Sequence, residues 1–213
     1  YYIFSDSEAT YWKLFGSYAT SFIAPTHYKL FDPTYGNLDL LPEENKTWEL
    51  GVEYVAENNR ITVVGFQRTE NNFIDFIFYP DFTGTYYNND ESYKVRGVEV
   101  EGNFSFQNLS VQANYTFTEK VKQEPLRLPK HAANVGLTYA APKAQWGAHF
   151  RYVGSRYDTD FSTFPSTTQK LKEFALVDVR VTLPNFIGNA NVSLAVTNLF
   201  DVSYTEFIGY SVL

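Results

Sequence analysis

An all-β fold, specifically an antiparallel transmembrane β-barrel, is what this sequence predicts, and three observations predict it. Apolar and polar residues alternate along about nine runs of roughly ten residues, the length a tilted strand needs to cross a bilayer. The run Leu109-Ser110-Val111-Gln112-Ala113-Asn114-Tyr115-Thr116-Phe117 alternates without an error, so it has one apolar and one polar face. Links between runs alternate strictly between short and long, as periplasmic turns and extracellular loops do in outer-membrane barrels.

The expected strands, in order, are Ala9–Phe22, Thr47–Ala56, Arg60–Tyr79, Ser92–Phe106, Leu109–Thr118, Ala132–Ala140, Gln145–Ser155, Glu173–Leu183 and Ala190–Phe200. The first runs outward and the ninth outward again, so Phe207 to Leu213 reads as the start of one more inward strand. Within Ser92–Phe106, Val98, Val100, Gly102, Phe104 and Phe106 share a face opposite Glu99, Glu101, Asn103 and Ser105. Trp146, Ala148, Phe150 and Tyr152 oppose Gly147, His149 and Arg151, and Val177, Val179, Val181 and Leu183 oppose Asp178, Arg180 and Thr182. Soluble sandwiches and barrels also alternate, but a lipid-facing shell around a polar lumen requires it of every long strand. Glu99 and Glu101 are expected to pair with Arg151 and Arg180 across the lumen wall. An open sheet of these strands would leave unpaired edges in lipid, so further strands are expected on both sides.

Composition narrows the class. Aromatics make up 18% of the 213 residues, with 17 Tyr and 19 Phe, a surplus that interfacial girdles would use. Mean hydropathy is -0.29 and no stretch suits a membrane-spanning helix. There is no cysteine, hence no disulfide and no thiolate metal site. The absence of methionine and of a leader suggests part of a longer product. A net charge of -7 argues against a nucleic-acid partner. His27, His131 and His149 show no metal spacing, and no Ser–His–acid constellation suggests an enzyme.

Three ordered motifs carry a family resemblance. Gly16-Ser17-Tyr18 through Ser21-Phe22-Ile23-Ala24-Pro25, then Tyr35-Gly36-Asn37, Leu41-Pro42-Glu43 and Trp48-Glu49-Leu50-Gly51, form the first. Arg96-Gly97-Val98-Glu99-Val100 is the second, and Val196-Thr197-Asn198-Leu199-Phe200-Asp201 with Tyr204 the third. Together they resemble TonB-dependent outer-membrane receptors over essentially the whole chain. The resemblance implies that residues 1–213 form the C-terminal portion of the barrel domain, about nine to ten strands of a barrel of about twenty-two. It places the plug domain and TonB box outside this chain, in the outer membrane of a Gram-negative bacterium. Implied partners are outer-membrane lipid, the remaining barrel strands and plug, the TonB complex through a missing N-terminal segment, and a surface ligand-capture lipoprotein.

Gly154 to Pro165, and the Leu126-Arg127 pair, resemble the cobalamin (vitamin B12) receptor branch. That likeness implies transport of cobalamin or a close corrinoid, with a ferric siderophore or haem as the alternative within the family and a passive porin or structural barrel as the alternative outside it. No resident cofactor is expected. In the cobalamin branch an arginine before the inward strand and a tyrosine in the later loop contact ligand, and Arg127 and Phe161 stand at those positions. Phe161 can stack on a corrin but has no hydroxyl to donate. The calcium-binding aspartates of the branch would fall outside this chain. The remaining ligand-binding candidates are Tyr157 and Asp158 in the same loop, and Tyr86 and Tyr87, which cluster with Tyr79 and Phe82 at another tip. Asp158 and Asp160, two residues apart, could also ligate a cation.

Overall fold

The computed structural model describes residues 1–7, 9–121, 126–162 and 165–209. Ten strands form one antiparallel sheet: β1 (Tyr2–Ser7), β2 (Thr10–Ile23), β3 (Glu43–Ala56), β4 (Asn59–Asn71), β7 (Tyr93–Phe106), β8 (Leu109–Val121), β9 (His131–Ala141), β10 (Ala144–Val153), β13 (Phe174–Ile187) and β14 (Ala190–Val196). They pair in that order, so each strand lies beside its sequence neighbour. Two hairpins stand outside the sheet: β5 (Ile74–Phe78) with β6 (Gly84–Asn88), and β11 (Arg156–Asp160) with β12 (Thr167–Leu171). A short helix, α1 (His27–Phe31), opens the first long loop, with Thr26 Oγ1 accepting from Lys29 N at its start.

The register separates two faces. Phe4, Trp12, Tyr54, Ile61, Gly102, Ala113, Val135, Phe150 and Val177 are successive partners across the wall. One residue along, Lys13, Glu53, Thr62, Glu101, Asn114, Asn134 and Arg151 do the same on the other face. A period-two pattern read on every strand therefore becomes one apolar and one polar surface, and a slip of one residue would exchange them. The apolar surface faces lipid and the polar one faces the lumen. Short turns at Glu57 and Gln107 use left-handed φ angles of 52° and 50°.

Several elements differ from expectation: β3 begins four residues earlier, at Glu43, and β13 runs four further, to Ile187. β1 was not foreseen, because six residues are too few for alternation to stand out. The segment Arg60–Tyr79 is two elements, since Asn72 takes a φ of 55° and turns the chain into β5. β14 ends at Val196 rather than Phe200. Residues 207–209 form a turn rather than a strand, while 210–213 lie outside the described residues.

The wall has no interior core of its own, and its buried apolar side chains collect at one rim. Leu40, Ile74, Tyr93, Val95, Phe174 and Leu176 are all buried there, at the end from which the long loops spring.

Candidate functional site

Two rim bodies hold the residues singled out by the sequence. The first joins the loop of residues 24–42 to the β5–β6 hairpin. Asn37 Nδ2 donates to Tyr86 O at 2.9 Å, and Tyr86 N donates to Tyr35 O at 3.2 Å. Asn88 Oδ1 accepts from Leu41 N at 2.7 Å, while its Nδ2 donates to the carbonyls of Leu41 and Asn72. Glu43 Oε1 accepts from Ile74 N at 3.0 Å. Side-chain amides and a carboxylate thus satisfy backbone groups that a free hairpin would leave to water.

Rings fill the space between. Tyr86 meets Phe76 edge-on at 5.0 Å and Tyr28 at 6.2 Å, Tyr35 meets Phe76 at 5.6 Å, and Lys29 Nζ lies 5.9 Å over the Tyr86 ring. Edge-to-face pairs and a cation over a ring are both favourable electrostatically. Tyr86 is therefore part of the joint, and Tyr87 faces the opposite side of the same strand. Phe82 sits at the exposed tip against Phe78, 81% accessible. The expected single cluster of Tyr79, Phe82, Tyr86 and Tyr87 is instead a tip and a base.

The second body is built on Asp158. Its side chain is only 1% accessible. Oδ1 accepts from Arg127 Nε at 2.6 Å and from Thr159 N at 2.9 Å, and Oδ2 accepts from Ile208 N at 2.8 Å. Burial alone would push this carboxyl up. The hydrogen bonds from Arg127, Ile208 and Thr159 and the Arg127 charge outweigh it and hold the group below the usual carboxylate range. Arg127 adopts a left-handed φ of 61°, donates its N–H to Tyr157 O at 2.7 Å, and stacks 5.4 Å from the Phe207 ring.

Arg156 continues the fastening. It is 6% accessible, and its Nη2 donates to the carbonyls of Thr205 and Glu206 at 3.1 and 2.7 Å, while its Nη1 is buried without a partner among the described residues. Arg151 Nη2 pairs with Glu206 at 2.8 Å, and Phe174 lies 4.5 Å from Tyr204. Residues 204–208 are thereby held against the β11–β12 hairpin and the rim ends of β10 and β13.

Two expectations change. Asp158 binds parts of its own chain and offers no surface to a ligand. Other strands or a plug could only bury it further. Arg151 pairs with Glu206, Glu101 pairs with Arg60 at 3.1 Å, and Arg180 donates to Ser193 Oγ at 3.2 Å. The foreseen Glu–Arg pairs across the wall do not form. Cross-strand neighbours and the returning segment are nearer.

Asp160 accepts from Ser162 Oγ at 2.6 Å and Ser162 N at 2.9 Å, and from Gln169 Nε2 at 2.9 Å. These bonds, chiefly from Ser162, hold its carboxyl low. Phe161 projects from the end of β11 with 76% of its surface accessible. The structure brings Arg127, Tyr157 and Asp158 together. Among the described residues, no hydrogen bond, ion pair or ring contact joins them to Tyr86 or Tyr87. Sequence reasoning missed Asn37, Glu43, Asn88 and Arg156, which bond backbone groups distant in sequence, and Glu206, which pairs with Arg151; none carries a local signal.

Comparison with known proteins agrees with this architecture. The ferripyoverdine receptor FpvA of Pseudomonas aeruginosa bound to a heterologous pyoverdine superposes with a TM-score of 0.79 at 19% identity, over 97% of this chain and 29% of that one. The ferric-catecholate import receptor Fiu of E. coli K12 gives 0.75 at 21% identity, over 97% and 31%. The copper transporter OprC gives 0.68 at 19%, over 95% and 33%. The chain thus spans about a third of the length of each. These likenesses speak for the fold. Residues 3–199 match the family model described as TonB dependent receptor-like, beta-barrel. The chain belongs to the TonB-dependent receptor β-barrel family and is a piece of an outer-membrane barrel wall of a Gram-negative bacterium.

Proposed function

We propose that this chain is the C-terminal part of the barrel of a receptor that takes up a scarce metal chelate by TonB-coupled transport, with a ferric siderophore as the first cargo class. The observation that carries the reading is the β5–β6 hairpin, pinned at its base by Asn37, Glu43 and Asn88 and presenting the rings of Phe78 and Phe82 at its exposed tip. A rigid aromatic surface at the mouth suits capture of a flat or ring-rich chelate at low entropic cost, whereas a passive pore has no use for one. Family membership supports coupling to TonB and a plug, both supplied by segments beyond this chain; delivery of cargo by a surface lipoprotein is a further part of the proposal. The relatives described as binding pyoverdine or importing ferric catecholates support the siderophore class.

Cobalamin is the second reading, favoured by Phe161, whose exposed flat face could stack on a corrin. Arg127 supports it less than the sequence implied, because its Nε is committed to Asp158. Equilibrium binding of ferric pyoverdine, a ferric catecholate and cyanocobalamin to the intact receptor separates the readings. Saturable binding of an iron chelate alone supports the first. Tight cyanocobalamin binding alone supports the second, and no binding of any of them overturns both.

A further inference from the structure

Among the described residues, four glycines of the wall strands face the lumen, and the wall treats them in two ways. Phe15 is the partner of Gly51 and Phe66 of Gly97, and each ring covers its glycine so closely that an added Cβ would collide with it. Gly136 and Gly147, diagonal neighbours on β9 and β10, are bare. Beyond the adjoining residues, no atom lies nearer than 3.9 Å to a Cβ added at either. A glycine inside a strand costs the sheet stability, and it marks a place where something approaches the backbone closely.

The two bare glycines floor a furrow. A cavity of about 420 Å³ lies over them on the lumen face, with Ser110, Gln112, Thr138 and Arg180 in its lining. A second, about 720 Å³, stands nearer the rim and shares His149, Asp178 and Thr197 with the first. Asn198 and Tyr204 of the returning segment bound it there, and Asn198 N donates to Asp178 Oδ1 at 2.7 Å. Together they make one groove from the mouth down to Ser110, the second residue of β8 after its short turn. Its lining offers donors, acceptors and both signs of charge: His149 Nδ1 lies 3.9 Å from Asp178 Oδ2, and Arg180 donates to Ser193 Oγ. The large apolar side chains of the lumen at mid-wall, Phe15, Val64 and Phe66, stand on β2 and β4 instead. Apolar rings gain from the cover of a packed domain. A polar groove can stay wet.

We propose, on the reading of this chain as part of an uptake receptor, that the furrow is the transit side of the barrel. A hydrated, hydrogen-bonding cargo passes along β9, β10 and β13 against bare backbone, while the domain that fills the barrel packs on the ring-bearing half. The missing side chains at Gly136 and Gly147 set the depth of the passage.

The test fills the furrow in the intact receptor. Gly147→Phe and its double variant with Gly136→Phe are compared with Thr62→Phe, which adds the same ring to the lumen face of β4. Cells expressing each are given radiolabelled ferric pyoverdine, a ferric catecholate and cyanocobalamin, and surface binding, uptake and entry of vancomycin are measured. For whichever probe the parent takes up, uptake should slow about tenfold in Gly147→Phe and further in the double variant. Surface binding should be unchanged, vancomycin should stay excluded, and Thr62→Phe should transport like the parent. Heat-modifiable electrophoretic migration confirms that each barrel is folded. Undiminished uptake in folded Gly147→Phe, or an equal loss in Thr62→Phe, would overturn the furrow and leave the receptor reading standing. Vancomycin entry through the glycine variants would overturn it as well, by showing that the packed domain seats on that half. A parent that takes up none of the three probes fails the receptor reading, and the furrow with it.

Discussion

Asp158 shows how one carboxylate sets the shape of a rim. Three donors from three segments converge on it, so an amide in its place would turn a donor toward a donor. In Asp158→Asn, the lost charged hydrogen bonds should cost the clasp about 1.5–3 kcal/mol. Amide exchange should rise at Thr159 and Ile208 with the wall strands unchanged. Because the folded pKa is depressed, the contribution is present above the unfolded carboxylate value of about 3.9 and lost as pH falls through the folded one. The clasp should therefore hold at neutral pH and open only in acid. Exchange at Ile208, corrected for intrinsic rates, checks this, and opening near pH 6 would contradict it.

A glycine in the wall gives a second residue-scale prediction. A Cβ at Gly97 would stand 2.2 Å from Phe117 O and 2.6 Å from the Phe66 ring, which covers the backbone there. The carbonyl cannot move without breaking the β7–β8 ladder. Gly97→Ala should cost about 1–3 kcal/mol through overpacking, read as a lower midpoint in urea refolding into vesicles. An unchanged midpoint would mean the Phe66 ring and its strand adjust freely.

At the scale of elements, the wall strands were legible in the sequence and the rim hairpins were not. Alternation in β7, β8, β9, β10 and β13 survives because every second residue meets hydrocarbon, and that one-dimensional rule leaves a one-dimensional trace. β5, Ile74-Asp75-Phe76-Ile77-Phe78, continues the strand-like apolar composition of β4, so Arg60 to Tyr79 reads as one strand. Only the turn at Asn72 and the distant bonds from Asn88 and Glu43 separate them. The rim site was legible only in part. Arg127 and Asp158 stood out by resemblance, but that they bind each other follows from a left-handed residue and a returning segment that no local pattern announces. Asn88→Ala removes three hydrogen bonds from the hairpin base. It should leave barrel insertion intact while weakening chelate binding about tenfold, as expected for about 1.4 kcal/mol lost to ordering the hairpin on binding. Undiminished affinity would remove the hairpin from the binding surface.

For the whole molecule, the assignment of faces governs everything else. Val179 points to lipid, with Ala148 and Val196 as its neighbours across the wall, and Thr182 points to the lumen. Val179→Arg should cost about 2–4 kcal/mol if it lies near the bilayer midplane, and Thr182→Arg far less, measured as refolding free energies in the same vesicles. Equal costs would mean the faces are wrongly assigned.

The central claim is that the assembled barrel is an energised chelate receptor rather than a pore. Uptake of radiolabelled ferric siderophore by cells expressing the intact receptor, with and without a protonophore, tests it most directly. The account predicts saturable uptake that stops when the inner membrane is de-energised, while binding at the surface persists. Uptake that is unsaturable and indifferent to the protonophore would contradict it.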